Sequence, residues 1–506
     1  MTVDHVVVVL LDSLNRHLLG SYGGSEFDTP NLDAFAARAV RFTRHYTGSL
    51  PCMPARHDIL CGALDFLWRP WGSIELWEQP VTALLRDAGV VTMLASDHPH
   101  LFETGGENYH TDFTAWDYVR GHEGDPWRTY ADPSALGAPL LPARASRGLA
   151  RPYDVSRTYF RSEEDFPGPR TMRAAAEWLG GAAHRHPQKW MLFVDEFDPH
   201  EPFDTPEPWA RRYDPDWRDE LLIWPPYDVG AIAEGRLTER EGRQIRANYG
   251  AKLSMIDHWF GRITTALDDA ALWDSTAVIV CTDHGHYLGE RDIWGKPGVM
   301  QYEALGHMPL LVHWPSAEPG SECDALTTGV DLFATIADIF GVAANHRTHA
   351  RSLVPLLNGQ ATSIREWAIG GVFGNWVQVT DGRRKYARGS VGDNFPLSMW
   401  SNRWSTMPVH GFPTLLAPPD KRARLDFMPG SDVPVIRQPF EPGDAVPYWV
   451  GRGCVDDHHC YNVDVDPDET EDLIGTRTER EMLDLLREAL QSVDAPDDQY
   501  ARLGIS

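Results

Sequence analysis

Val6-Val7-Val8-Val9-Leu10-Leu11 runs without interruption into Asp12, and the reading of this stretch decides the fold. A membrane-crossing helix needs about 20 apolar residues, so the run is far too short for one. It also lacks the in-out alternation of a half-solvated strand. A strand apolar on both faces belongs inside a parallel sheet that is covered by helices. The preceding Met1-Thr2-Val3-Asp4-His5 carries no basic head, so the run is expected to be a buried strand and not a secretory leader.

Similar runs recur at Val90 to Ala95, Trp190 to Val194, Ala277 to Cys281 and Pro309 to Trp314. Helical patterns lie between them. Asn31 opens Leu32, Phe35, Ala36 and Ala39, and Thr238 with Glu241 makes a capping box ahead of Ile245, Tyr249, Leu253, Ile256, Phe260 and Ile263. Strands alternating with helices predict an α/β fold with a mostly parallel central sheet. In such sheets ligands gather beyond the carboxyl ends of the strands. Asp12, Ser96-Asp97-His98, Asp195 to His200 and Thr282-Asp283-His284 all follow strand ends, so one sheet edge can collect them.

Near residue 365 the texture changes. Trp376-Val377-Gln378-Val379-Thr380 with Asp381-Gly382 reads as strand and turn, followed by Pro- and Trp-rich sequence. Residues 1–365 are therefore expected to form a large α/β domain and 366–506 a smaller α+β domain. The latter closes with a helix over Thr478 to Ser492 whose apolar set is Met482, Leu483, Leu485, Leu486 and Leu490.

A chain of 506 residues exceeds the size at which single cores stop growing, which agrees with two domains. A formal charge of −27 argues against nucleic acid and anionic membranes as partners, since both require a basic face. The same charge makes an anionic substrate demand a local concentration of cations or a metal. The six cysteines are scattered singly, which suits a reducing compartment and a cytoplasmic location; Cys454 and Cys460 are the alternative, a local pair.

Cys52-Met53-Pro54-Ala55-Arg56 resembles the C-x-P-x-R segment that directs oxidation of a cysteine to formylglycine in sulfatases and phosphonate monoester hydrolases of the alkaline-phosphatase superfamily. Ordered matches extend over most of the chain. They include Leu11-Asp12, Thr29 to Asp33, Asp198-Pro199-His200-Glu201-Pro202-Phe203, Thr282 to Glu290, Trp294-Gly295-Lys296, Val330 to Phe333 and Tyr461 to Pro467. Three departures stand out. Ala55 occupies a position where serine is commonest, Leu60-Cys61-Gly62 stands where the family has a Thr-Gly pair, and Ser13 follows Asp12 where sulfatases carry a second aspartate and phosphonate hydrolases a glutamine.

The resemblance implies an alkaline-phosphatase-like fold and hydrolysis of sulfate esters, with phosphonate monoesters or phosphodiesters as the alternative. It also implies maturation by a formylglycine-generating enzyme. Asp12, Asp283, His284 and the converted Cys52 would hold one divalent ion, and the imidazole favours Mn²⁺ over Ca²⁺. Ser13 or Asn15 would supply a neutral oxygen in place of the missing carboxylate.

An isolated Asp-His pair after a strand is ordinarily a cap or turn; the accompanying motifs carry the metal reading. The hydrated aldehyde at Cys52 would attack sulfur or phosphorus through one hydroxyl and expel the oxyanion through the other. Arg56 would anchor it, and His98, His200 and Lys296 would bind the anionic ester, with His200 serving the departing oxygen. His100 would take the proton during release. Arg69 is a candidate substrate contact, His286 an outer support, and self-association through the C-terminal region an open expectation.

Overall fold

The computed structural model describes residues 3–134, 143, 150–181, 186–404, 418–447 and 457–505. At its centre is a nine-stranded sheet. The strands run in the order Glu322–Cys323, Val40–Tyr46, His307–His313, Thr276–Cys281, His5–Leu11, Trp190–Glu196, Val91–Ser96 and Ala115–Tyr118, with Thr327–Thr328 also paired to Val40–Tyr46. Every pairing is parallel except the two made by His307–His313. That strand corrects one expectation: the Pro309 to Trp314 run is apolar like the others but lies antiparallel to both neighbours. Burial on both faces produces such a run in either direction, so the pattern carries no information about polarity.

The opening strand separates two cores. Val7, Val9 and Leu11 pack with the helices Pro30–Ala36, Pro167–Gly181 and Glu239–Asp269; Val6, Val8 and Leu10 pack with Cys52–Cys61, Val81–Asp87 and Asp331–Phe340. The period-two alternation of side chains along one strand thus feeds both helical layers. Helix Glu239–Asp269 starts with the expected reciprocal box between Thr238 and Glu241. Halfway along it, Asp257 accepts from the backbone nitrogens of Asn31 and Leu32 and from the Asn31 side chain, satisfying orphan donors at the start of Pro30–Ala36.

Beyond the central sheet, Ala368–Val372, Val377–Thr380, Arg384–Arg388 and His458–Asn462 build a second sheet. Its edge is completed by Ser49–Leu50, which pairs parallel to Ala368–Val372. A C-terminal strand therefore grips the residues just before Cys52. Helix Arg477–Ser492 packs Met482, Leu486, Ala489 and Leu490 beneath this sheet. Cys460 is a buried free thiol, and Cys454 lies outside the described residues. Among the described residues, no helix is long and apolar enough to cross a membrane.

A buried charge cluster locks the second sheet to the first. Lys385 lies 3.3 Å from Glu303 Oε1, contacts Glu469 and donates to the Gln301 carbonyl at 3.1 Å. Removing the cation would leave two buried carboxylates without compensation. Lys385→Met is therefore expected to cost about 3–5 kcal/mol in chemical denaturation, whereas Arg477→Ala, on an exposed ion pair, should change stability by less than about 0.5 kcal/mol.

Candidate active site

Asp12, Asp195 and Asp283 meet because of register. Leu10 pairs with Asp195 on one side and with Cys281 on the other, so the three adjacent strands end level. All three carboxylates are buried. Cys52 is the first residue of helix Cys52–Cys61, and one turn later Arg56 projects into the same space. The Arg56 guanidinium is a fork with several partners. Nε and Nη2 donate to Asp195 at 2.8 and 2.6 Å, Nη1 donates to Asp283 Oδ2 at 2.9 Å and to the Cys52 carbonyl at 3.2 Å, and Nη2 lies 3.0 Å from Asp12 Oδ2.

Ligand-bearing atoms of Asp12, Cys52, Asp283 and His284 all lie within 4.8 Å of one another. The Cys52 Sγ is 3.3 Å from His284 Nε2. His284 donates Nδ1–H to the Gly285 carbonyl at 2.9 Å, which leaves Nε2 as the coordinating nitrogen. Gly285 is required here, because a Cβ would sit 2.0 Å from the Ala304 carbonyl oxygen. Burial and the charge of Asp12 push the Cys52 thiol well above its ordinary range.

Ser13 adopts a left-handed backbone conformation (φ 62°), unusual for a residue other than glycine. Its N–H donates to Asp283 Oδ1 at 3.1 Å, its carbonyl accepts from Tyr249 at 2.9 Å, and its hydroxyl donates to Asp12 Oδ1 at 2.8 Å. The same hydroxyl accepts from Lys296 Nζ at 3.1 Å. Asn15 is committed elsewhere: Oδ1 caps the His17 N–H and Nδ2 donates to the His286 carbonyl. Of the two candidates for a neutral oxygen, only Ser13 is placed at the cluster.

Lys296 and three histidines stand around the carboxylate cluster. Lys296 is buried, and Glu201, 3.8 Å away, helps hold it protonated. His200 donates Nδ1–H to the Glu201 carbonyl at 2.8 Å, and burial lowers its pKa to about 4, so it rests neutral. His98 stands 3.6 Å from Asp12 Oδ2, with neither ring nitrogen in hydrogen-bonding range of a partner, and burial keeps it neutral too. His100 differs from expectation. Its two nitrogens face Glu103 (3.0 Å) and Glu123 (3.3 Å), which outweigh burial and raise its pKa to about 10. It is a cation at neutral pH with both nitrogens engaged, whereas neither ring nitrogen of His98 has a hydrogen-bond partner among the described residues.

Arg69 takes the packing alternative that its Trp-rich surroundings also offered. It bonds the Ser73 carbonyl, Glu75 and Glu78 in a separate buried network, away from the nucleophile position. His286 donates Nδ1–H to the Tyr287 carbonyl and lies 3.2 Å from Glu201 Oε2. Glu201, which Tyr227 also contacts, thus ties together His200, His286 and Lys296. The roles of Asp195, Glu123 and Glu201 were missed from sequence. Asp195 had a legible signal, its place at a strand end, but its partner Arg56 is distant in the chain.

A family model described as Sulfatase matches residues 4–342. Choline-sulfatase of Rhizobium meliloti (strain 1021) is 26% identical over 420 residues, covering 76% of this chain and 77% of that protein. Human iduronate 2-sulfatase is 25% identical over 393 residues, covering 67% and 69%. Among solved structures, the phosphonate monoester hydrolase of Agrobacterium radiobacter superposes with a TM-score of 0.65 at 18% identity, covering 97% of this chain and 95% of that one. BT1596, a 2-O GAG sulfatase, gives 0.62 at 15% identity, covering 98% and 93%. The fold is therefore the alkaline-phosphatase-like α/β architecture that the resemblance implied, with the mostly parallel central sheet expected from the strand pattern.

The His100 cluster has a defined pH signature. Its folded pKa of about 10 exceeds the ordinary 6.5, so its stabilising contribution is complete below about pH 6.5 and is lost as pH rises through about 10. The stability deficit of His100→Gln relative to the parent, followed by thermal denaturation, should be greatest below about pH 6.5 and shrink toward pH 10.

Proposed function

Because the chain belongs to the sulfatase family, we propose that it hydrolyses sulfate esters at the Cys52 site, with a divalent metal and with formylglycine derived from Cys52. The observation that carries this reading is the charge count around Arg56. Three buried carboxylates, Asp12, Asp195 and Asp283, converge on one guanidinium. Lys296 reaches only the Ser13 hydroxyl beside them. Buried charge without compensation costs several kcal/mol per ion, so the donor set suits a divalent cation.

Asp12, Asp283, His284 and the converted Cys52 would hold that ion, which would supply Lewis-acid stabilisation of the ester oxygens. Manganese is preferred to calcium, since an imidazole joins the oxygen donors. Formylglycine would supply an oxygen nucleophile at a helix N-terminus, where developing negative charge is favoured.

The chain's own side chains divide the remaining work. Arg56 holds Asp195 on one edge of its guanidinium and orients Asp12 and Asp283 on the other. Lys296 and His200 face the anionic ester. His200 rests with Nε2 unprotonated; negative oxygens placed beside it favour proton uptake, and that proton can then pass to the departing oxygen. His98 accepts a proton from the nucleophile side, while the His100 cation adds positive charge behind it.

Hydrolysis of phosphonate monoesters or phosphodiesters is the second reading. It is favoured by Ser13, whose neutral hydroxyl leaves the cluster one carboxylate short of the sulfatase pattern.

Paired initial rates on aryl sulfate and aryl phosphonate esters test the order: faster sulfate turnover is expected, and a strong phosphonate preference would reverse it. Cys52→Ala should lower kcat by at least about 10³-fold. Chelation should abolish turnover, with Mn²⁺ restoring more of it than Ca²⁺. Mass spectrometry of the peptide holding Cys52 should find the aldehyde, and an unmodified thiol in protein from the native host would sink the formylglycine mechanism. Asp195→Asn, which loosens Arg56 without touching a metal donor, should weaken metal binding by about 10–100-fold in calorimetric titration.

A further inference from the structure

The helix that presents Cys52 at its first residue ends in a second cluster of metal-binding side chains. His57 and Cys61 are four residues apart on helix Cys52–Cys61 and so share one face. Glu78 meets them from the following segment. Ligand-bearing atoms of the three lie within 4.8 Å of one another, and all three residues are buried. His57 Nε2 is 2.7 Å from Glu78 Oε1, and the Cys61 thiol lies beside the same imidazole. With a rise of about 1.5 Å per residue, Cys61 sits roughly 13 Å along the helix from Cys52, so this is a separate place in the protein.

We propose that His57, Cys61 and Glu78 form a structural zinc site distinct from the catalytic metal centre. A thiolate, an imidazole and a carboxylate are the donor types zinc takes, and the thiolate selects against Mn²⁺ or Ca²⁺. Tetrahedral zinc donors lie about 3.3–3.8 Å apart, within reach of small side-chain rotations from the present arrangement.

The second oxygen of Glu78 is already occupied. It accepts from the Glu75 N–H at 2.7 Å and from Arg69 at 3.3 Å, which leaves Oε1 aimed at the cluster as a single-oxygen donor. A cavity of about 10 Å³, room for about one water, borders His57 on the side of Asp65, Arg69 and Tyr109.

Charge balances as well. Asp65, Glu75 and Glu78 face Arg69 and Arg347, and a proton shared by His57 and Glu78 completes neutrality. Zinc would replace that proton and the thiol proton of Cys61, releasing both to solvent, so the cluster stays neutral with no change in oxidation state. Asp58, the remaining acid on this helix face of the chain, is engaged by Ser49 N–H and hydroxyl at 2.6 Å each.

The test uses the full chain carrying Asp12→Ala and Asp283→Ala, which disables the catalytic centre, stripped with chelator and reloaded with zinc or cobalt alone. One zinc equivalent per chain should remain after gel filtration. The cobalt form should show a thiolate charge-transfer band in the near ultraviolet, and the band should persist when Cys52→Ala is added. Cys61→Ser nearly preserves size, so the protein should stay folded by circular dichroism while zinc affinity falls by more than about a hundredfold. Absence of zinc from the chain with the disabled centre, or a cobalt band unchanged by Cys61→Ser, would overturn the proposal.

Discussion

The site depends on a single buried guanidinium. Arg56 is 1% exposed and within 3.0 Å of carboxylate oxygens from three different strand ends. Without it, Asp12, Asp195 and Asp283 could not share so small a volume, because like charges out of water repel strongly and would take up protons instead. With it, they are held in place yet incompletely neutralised. That residual negative charge suits the cluster to a cation, and Arg56 organises the centre while also donating to the Cys52 carbonyl.

The scaffold supplies what Arg56 requires. The sheet brings Asp12, Asp195 and Asp283 to one edge at one level, and the helix starting at Cys52 delivers the arginine one turn in from its N-terminus. Residues Ser49–Leu50, just upstream, are held as an edge strand by Ala368–Val372. The C-terminal sheet is in turn tied back by Lys385 between Glu303 and Glu469. A perturbation in the C-terminal part of the chain therefore has a direct route to the nucleophile position through paired backbone and a buried ion cluster.

Around this core, protonation is set by neighbours and burial together. His98, His100 and His200 belong to one residue type within one mouth, yet two rest neutral and one is a cation. The difference is the pair of carboxylates, Glu103 and Glu123, that flank His100. Such divergence lets neighbouring imidazoles take different parts in proton transfer.

The sequence by itself determined the buried opening strand, the capped helix beginning at Glu239, the closing helix near Thr478 and the carboxylates and imidazoles that follow strand ends. These are local: hydrophobic period, capping residues and strand-end position are written in consecutive residues. The motif around Cys52, which carries the family resemblance, is local for the same reason. Only the tertiary structure decided that the His307–His313 strand runs antiparallel, that Asp195 belongs with Arg56, that Asn15 is turned away while Ser13 stays, and that His100 is charged. Each of these depends on partners far apart in the chain, as Asp195 is from Arg56 and Glu303 from Lys385, and on burial that raises the energy of every unpaired charge. No local pattern records which distant carboxylate a buried cation will find.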